Sequence, residues 1–378
     1  YNFGELNRRL AANHTFRTRS DTETIVHLYE QYPDQFVSML RGMFAFALWD
    51  EPQQTLILAR DRVGKKPLYY YLDDRRLVFA SEIKSILEHP DLDLAVDEQA
   101  VSDYLSLGYI PAPKSIYKKI RKVLPGHYLK ITGRDVREVC YWDLKFCEES
   151  SLTETEWIER FLESFEEAVR IRLMSEVPLG AFLSGGLDSS AVVAMMSRIM
   201  SRPVQTATIG FEEGEFDESR YAREVADYLR TDHYVQRVSA EKIATIEKLA
   251  WHYDEPFSDS SALPTYYVSK VARDRVTVAL SGDGGDENFV GYGRYAFTAA
   301  ENRVRRMLPA AVRKFLFGPL GAIYPKMDWA PRFLRARTTF QGLACDSVEA
   351  HFDSVSVFRR GEKERVLSGD VAAALKGY

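Results

Sequence analysis

The first third of the chain breaks into short apolar runs separated by turn residues. Residues 44–49 (FAFALW) and 55–59 (TLILA) are strand-type runs around the polar turn Asp50-Glu51-Pro52-Gln53. Residues 68–72 and 76–80 predict a second hairpin around Asp73-Asp74. Helical spacing flanks them, over 22–31 after the candidate capping residue Asp21 and over 96–107. This pattern predicts an α+β layered domain with mainly antiparallel pairing. The chain then turns repeatedly around Pro111, Pro113 and Pro125-Gly126, and the polar stretch 147–155 reads as a linker.

Beyond the linker the period changes. Trp157, Phe161, Phe165 and Val169, with Ile158 and Leu162 beside them, recur at helical spacing and predict an amphipathic helix to about Met174. Strand-type runs at 177–183, 204–211, 233–238 and 276–280 alternate with helical segments at 189–200, 217–229, 240–252 and 262–274. Strands alternating with helices of this length predict a parallel sheet covered on both faces. From Tyr295 onward the pattern is helical and irregular. The expected division is a first domain over 1–146, a linker over 147–155 and a second domain over 156–378.

The strongest chemical feature is Ser184-Gly185-Gly186-Leu187-Asp188-Ser189-Ser190, set between a strand-type run and a helix. Glycines let the backbone approach a ligand closely, and the amides of such a turn attract anions. Ser184, Ser189 and Ser190 add hydroxyl donors for phosphate oxygens. Asp188 would repel phosphate unless Mg²⁺ bridged the two. The loop is not of the Walker type, which needs Lys before Ser or Thr. The plain alternative is a glycine turn with a capping residue.

A second loop, Ser281-Gly282-Asp283-Gly284-Gly285-Asp286-Glu287, follows the run at 276–280. Ligands of open α/β sheets bind beyond the carboxyl ends of strands, so both loops could serve one ligand. The alternative is a flexible or calcium-type turn. The apolar run Phe289-Val290-Gly291-Tyr292 is expected to pack that loop in place. The polar region 254–265 either lines the cleft or caps a helix entering at Ala262.

Composition adds bounds. With 378 residues, two domains are the default, and 46% apolar with 28% charged residues is ordinary for a globular protein. A net charge of −5 argues against a broad nucleic-acid surface. Arg303, Arg305 and Arg306 read as a solvated helix face. Cys140, Cys147 and Cys345 show neither metal nor disulfide spacing, read as structural, and fit a cytoplasmic setting. No apolar run approaches the roughly 20 residues that span a bilayer.

At the two Gly-rich loops the sequence resembles the asparagine synthetase family. Residues 183–190 look like its SGG-(I/L/V)-DSS loop, and 281–292 like its SG-(D/E)-G-x-DE-x-F-x-GY segment. Thr208-Ile209-Gly210-Phe211, Phe216-Asp217-Glu218-Ser219 and Asp254-Glu255-Pro256-Phe257 fall between them in the expected order. In the first third, Tyr1-Asn2-Phe3, Ser20-Asp21-Thr22-Glu23, residues 41–46 (RGMFAF) and residues 60–69 (RDRVGKKPLY) look like the family's class II glutamine amidotransferase domain.

The resemblance implies an incomplete N-terminal nucleophile-type domain followed by a PP-loop ATP-pyrophosphatase domain with a helical C-terminal region. It implies a ligase using ATP and Mg²⁺. ATP adenylates a carboxylate, aspartate or a related acceptor, and ammonia from glutamine displaces AMP. Leu183, Ile209, Ser281 and Gly282 would contact the nucleotide, and residues 184–190 would hold pyrophosphate. Asp188 and Asp286 would ligate Mg²⁺, and Asp283 would support the acyl-adenylate. Asp21 would bind the α-amino group of glutamine. Its spacing alone favours a helix cap; the resemblance favours glutamine.

The family's nucleophilic cysteine is expected before Tyr1 and an essential lysine beyond Tyr378, since Lys326, Lys363 and Lys376 lack its context. The chain is therefore expected to be a fragment that cannot complete glutamine-dependent synthesis. Small-molecule substrates and a homodimer are the expected partners. Two other readings stand beside this one. The first replaces ammonia with an internal amine, as in β-lactam-synthetase-like and peptide-cyclising relatives. The second is a nucleotide-binding scaffold, against which the acids at 188, 283 and 286 weigh.

Overall fold

The computed structural model describes residues 1–147, 151–211, 218–238, 242–325, 329, 331 and 336–375. Residues 148–150 of the expected linker, Phe216-Asp217 of the expected motif, the first residues of the helix expected at 240, Lys326 and Lys376 lie outside them. The chain forms two compact units, one of residues 1–100, 111–255 and 260–281, the other of 101–110, 256–259 and 282–378.

The first unit opens with α1 (Phe3–Leu10), α2 (Asp21–Gln31) and α3 (Phe36–Met39), then β1 (Ala45–Asp50), β2 (Thr55–Arg60), β3 (Tyr69–Leu72), β4 (Leu77–Ala80) and α4 (Ile83–Leu87). The helix α5 (Glu98–Leu107) passes into the second unit. The strands β5 (Ile120–Lys122), β6 (His127–Thr132) and β7 (Asp135–Cys140) return to the first. They are followed by α6 (Glu154–Arg172), β8 (Leu179–Phe182), α7 (Leu187–Ile199), β9 (Gln205–Phe211), α8 (Ser219–Leu229), β10 (Asp232–Val238), α9 (Lys242–Tyr253), α10 (Ala262–Arg273) and β11 (Val278–Leu280). The second unit continues with α11 (Gly285–Phe289), α12 (Gly293–Met307), α13 (Ala310–Ile323), α14 (Arg337–Ala344), α15 (Ser347–Val355), α16 (Arg360–Val366) and α17 (Gly369–Ala374).

The predicted hairpins form, and local side chains fix their turns. The first pairs Asp50 with Thr55, and Asp50 Oδ1 accepts the Gln53 amide at 3.0 Å. In the second, Asp73 Oδ1 accepts the amides of Arg75 and Arg76, each at 2.8 Å. In the antiparallel sheet β1-β2-β6-β7 the central strands β2 and β6 are packed on both faces. Ile57, Ala59 and Tyr128 face the α1–α3 residues Leu6, Leu10, Leu28, Phe36 and Val37. The alternate residues Leu58, Leu129 and Ile131 pack with Leu68 and Val123 on the other side. Successive strand side chains point to opposite faces, so residues 56–59 must be apolar throughout. A second antiparallel sheet runs β4-β3-β5.

The predicted parallel sheet has the order β10-β9-β8-β11. On one face Leu179 and Ala181 pack with Val169 of α6, Val193 and Met196 of α7, and Ala222 and Ala226 of α8. Ala207 packs with Ala272 of α10 and Val276 on another small core. The helix α6 starts at a capping box in which Thr153 and Glu156 bond each other's backbone amides.

Two surface readings change. Arg303 and Arg306 are exposed. Arg305 points inward and donates to Asn302, Glu301 and the Gly342 carbonyl at 2.7–2.8 Å, so it ties α12 to α14. Cys140 and Cys147 are exposed thiols rather than packing residues, while partial burial pushes the Cys345 thiol up. Among the described residues no helix is long and apolar enough to cross a membrane.

Leu58 has no exposed surface, so Leu58→Ala is expected to cost about 3 kcal/mol in urea denaturation. His233 on β10 bonds Thr206 Oγ1 through Nδ1 at 2.9 Å, and burial first, then Arg223, lowers its pKa. Its neutral form is favoured when folded, so its contribution is full above the unfolded pKa of about 6.5 and is lost as pH falls through the lower folded value. His233→Asn should therefore flatten the fall in stability below about pH 6.5 in urea melts at several pH values.

Candidate functional site

The loop after β8 is built from inside by one serine. Leu183 extends the strand, its amide donating to Ala207 O at 3.1 Å and its carbonyl accepting the Thr208 hydroxyl. Ser189, in the first turn of α7, is 9% exposed. Its Oγ accepts the Ser184 amide at 3.2 Å, lies 3.0 Å from Ser184 Oγ and donates to Gly186 O at 3.3 Å. The expectation that Ser189 offers its hydroxyl to phosphate therefore meets a different arrangement, in which that hydroxyl braces the loop. Ser184 Oγ accepts the Gly186 amide at 3.2 Å. Ser190 Oγ is buried and has no protein partner among the described residues.

Two glycines meet two different demands. Gly185 has φ +83°, and a Cβ there would sit 2.6 Å from backbone atoms of Tyr221 and Ala222. Such a side chain would push the loop off α8. Gly186 is extended and occupies the N-cap position of α7 without a capping side chain. The amides at this helix start are therefore left to whatever binds there. Asp188, in the first turn of α7, is half-buried.

The structure thus brings Leu183, Ser184, Gly185, Gly186, Asp188, Ser189 and Ser190 into one turn at the carboxyl end of β8. Ile209 lies on the neighbouring strand β9, paired with Gln236 of β10. Ser281 follows β11, the other neighbour of β8. The strand ends that carry both Gly-rich loops are therefore adjacent.

The remainder of the second loop belongs to the second unit. There Gly282 O accepts the Gly285 amide at 3.2 Å, and Gly284 takes φ +94°. Asp283 stands between them. The expectation that Phe289 and Val290 pack this loop is corrected, because they are 63% and 64% exposed. Polar contacts hold it instead. The Gly291 amide donates to Asp286 O at 3.0 Å, and the Asp286 carboxylate lies over Gly291 where a Cβ would be. The Tyr292 hydroxyl donates to Glu287, holding that carboxyl below the usual range while its own pKa is pushed up to about 12. Glu287 is therefore committed to the loop itself.

Asp21 is the first residue of α2, yet the cap is Ser20, whose Oγ accepts the Thr22 amide at 3.2 Å. The capping role weighed for Asp21 falls to its neighbour, and the Asp21 side chain is exposed. In the region 254–265, Ser261 makes no side-chain cap to α10. Asp254 accepts Lys84 Nζ at 2.8 Å, and Glu255 pairs with Lys122. Burial pushes the Glu255 carboxyl up, against the opposing pull of Lys122. Spacing could not reveal these pairs, because their partners are more than 130 positions away in the sequence. In the second unit Lys363 Nζ lies 2.8 Å from Ser102 Oγ. A cavity of about 270 Å³ there is lined by Arg294, Glu301, Gln341, Asp353 and Arg359 among others, none of them singled out by sequence.

Known proteins resemble both parts of the chain. Residues 160–367 match the family described as Asparagine synthase, and residues 1–142 match the one described as Glutamine amidotransferase domain. The chain is 41% identical over 300 residues to a putative glutamine-hydrolysing asparagine synthetase 2 of Methanocaldococcus jannaschii, covering 77% of this chain and 57% of that protein. It is 32% identical over 370 residues to the glutamine-hydrolysing asparagine synthetase 1 of Bacillus subtilis, covering 97% of this chain and 57% of that protein. It is 33% identical over 312 residues to a protein of Gibberella zeae named amidase chry2, covering 77% and 46%. The chain spans about half the length of these curated relatives.

Gly185→Ala should lower the melting temperature measurably, since φ and space both oppose the added methyl. The expected cost is about 2–3 kcal/mol in denaturant titration. Gly4→Ala, where nothing lies within 4 Å of the new Cβ, should cost far less.

Proposed function

The chain belongs to the asparagine synthase family, and from that premise we propose that the whole protein forms an amide from a carboxylate at the expense of ATP, with glutamine as nitrogen donor. The carboxylate oxygen attacks the α-phosphorus of ATP, giving an acyl-adenylate and pyrophosphate. Ammonia, released from glutamine by the N-terminal domain, then adds to the acyl carbon, and AMP leaves. A carboxylate is a poor electrophile, and the adenylate supplies it with a leaving group. Aspartate or a related acid is the proposed acceptor.

The observation that carries this reading is the turn after β8. Ser189 braces it from behind, and the amides at the start of α7 together with the Ser190 hydroxyl, which has no protein partner among the described residues, are proposed to receive anionic oxygens. Residues 184–190 are proposed to hold the departing pyrophosphate, with Leu183, Ile209, Ser281 and Gly282 against the nucleotide. Mg²⁺ fits the donor set in kind, since Asp188 and Asp286 are carboxylates in or beside Gly-rich phosphate-type loops. When bound it would neutralise phosphate charge as pyrophosphate forms. Asp283 is proposed to support the acyl-adenylate. Asp21, relieved of capping by Ser20, is proposed to bind the α-ammonium group of glutamine. The names of the matched synthetases do not favour the internal-amine alternative. The proposal carries with it a cytoplasmic location and a homodimer, the latter open to sedimentation analysis.

The test is pyrophosphate release from ATP by the whole protein with a panel of carboxylates, using ammonium salts or glutamine as donor. Release should require Mg²⁺, and Asp188→Ala should lower it on the order of 100-fold or more. Release that persists undiminished in Asp188→Ala, or none with any carboxylate, would overturn the reading.

A further inference from the structure

A second cluster of ligand-type side chains lies away from both Gly-rich loops. One donor atom each from His14, just beyond α1, and from His27 and Glu30 of α2 lie within 4.8 Å of one another. His27 and Glu30 are three apart on one helix and so share a face. Glu30 Oε2 is 2.7 Å from His27 Nδ1 and 3.3 Å from His14 Nδ1. The two rings stand 4.6 Å apart, and each histidine side chain is 16% exposed.

The far nitrogens also lie near oxygen acceptors, that of His14 within hydrogen-bond distance and that of His27 just beyond it. His14 Nε2 is 3.2 Å from Gln31 Oε1, and His27 Nε2 is 3.6 Å from Glu23 Oε1. The Glu23 carboxylate is held in place by the Arg17 and Thr18 amides, each at 2.7 Å, and by the Thr18 hydroxyl at 2.6 Å. If neutral His27 carries its proton on Nδ1 and donates to Glu30, its Nε2 lone pair faces the Glu23 carboxylate. That Nε2 is buried and makes no hydrogen bond. If both rings carry the proton on Nε2, each faces its acceptor. Both Nδ1 atoms then present lone pairs toward the same Glu30 carboxylate oxygen. A proton on a ring or a metal cation satisfies that arrangement, and metal titration distinguishes the two.

We propose that His14 Nδ1, His27 Nδ1 and a Glu30 carboxylate oxygen form a divalent transition-metal site of the Zn²⁺ type, with Glu23 and Gln31 as outer partners orienting the two rings. Tetrahedral Zn²⁺, with bonds of about 2.0–2.2 Å, places neighbouring ligand atoms about 3.3 Å apart. The His14–Glu30 separation already has that value. The His27–Glu30 hydrogen bond would open by about 0.6 Å, and water would complete the set. Histidines oriented through their second nitrogen by an oxygen acceptor are the usual arrangement around such ions. The site would fasten the segment after α1 onto α2, the helix that begins at Asp21.

Zn²⁺ is titrated calorimetrically into chelator-treated protein carrying Cys140→Ser and Cys147→Ser, which removes the exposed thiols as competing ligands. One Zn²⁺ per chain and a raised melting temperature are expected. In that background His14→Gln or His27→Gln should weaken binding at least 100-fold and abolish the thermal shift, and Glu23→Gln should weaken it about 10-fold. If a histidine variant fails to fold, Glu30→Gln, at a half-exposed side chain, serves in its place and should weaken binding equally. No Zn²⁺ binding by the parent, or binding unchanged in the His14→Gln/His27→Gln double variant or in Glu30→Gln, would overturn the site.

Discussion

The turn at Gly185 depends on the absence of a side chain. The chain leaves β8, reverses with φ +83° and passes within van der Waals contact of the first turns of α8. A methyl group there would displace the loop from the helix. A further constraint acts on the same turn: Ser189 reaches back from α7 to Ser184 and Gly186 and holds their backbone. With the backbone held, the amides at the start of α7 are pre-set for the anion proposed to bind there, and pre-set dipoles stabilise charge better than mobile ones.

The second constraint is electrostatic. Asp254 and Glu255 leave α9 and pair with Lys84 and Lys122, which belong to the antiparallel part of the same compact unit. The Asp254 and Glu255 side chains are 7% and 10% exposed, so neither charge is left to bulk water. Removing one partner of such a pair leaves the other buried and unpaired, which is costly even where the intact pair adds little stability. The pairs therefore specify how the antiparallel layers and the parallel sheet meet within that unit. Asp254 takes φ +64° in doing so, a conformation Asp tolerates better than most residues.

Much of the fold was legible in the chain. Alternating runs announced the two hairpins, Asp50 and Asp73 marked their turns, and helical spacing located α6 through α10 to within a few residues. The two Gly-rich loops were readable because glycines beside acids at strand ends are rare without a chemical reason. What spacing could not supply was the partner of each polar group. Ser20 rather than Asp21 caps α2, although both are common capping residues, because only the backbone path shows whose oxygen reaches the Thr22 amide. Arg305 faces inward and Arg303 does not, although the sequence alone gives no reason to separate them. Phe289 and Val290 are apolar yet exposed, and the loop before them is held by a tyrosine hydroxyl and a glycine amide.

The sequence by itself determined the local elements, the two acid-bearing glycine loops and the family, because each depends on residues close together in the chain. Tertiary structure alone decided that Ser189 is a brace while the Ser190 hydroxyl has no protein partner among the described residues. It also decided that the acids at 254 and 255 meet lysines at 84 and 122, and that His14 meets His27 and Glu30. These depend on contacts between distant segments, set by how α1 packs on α2 and how the two kinds of sheet join. Periodicity records which face of an element is apolar. It does not record which charge will stand opposite.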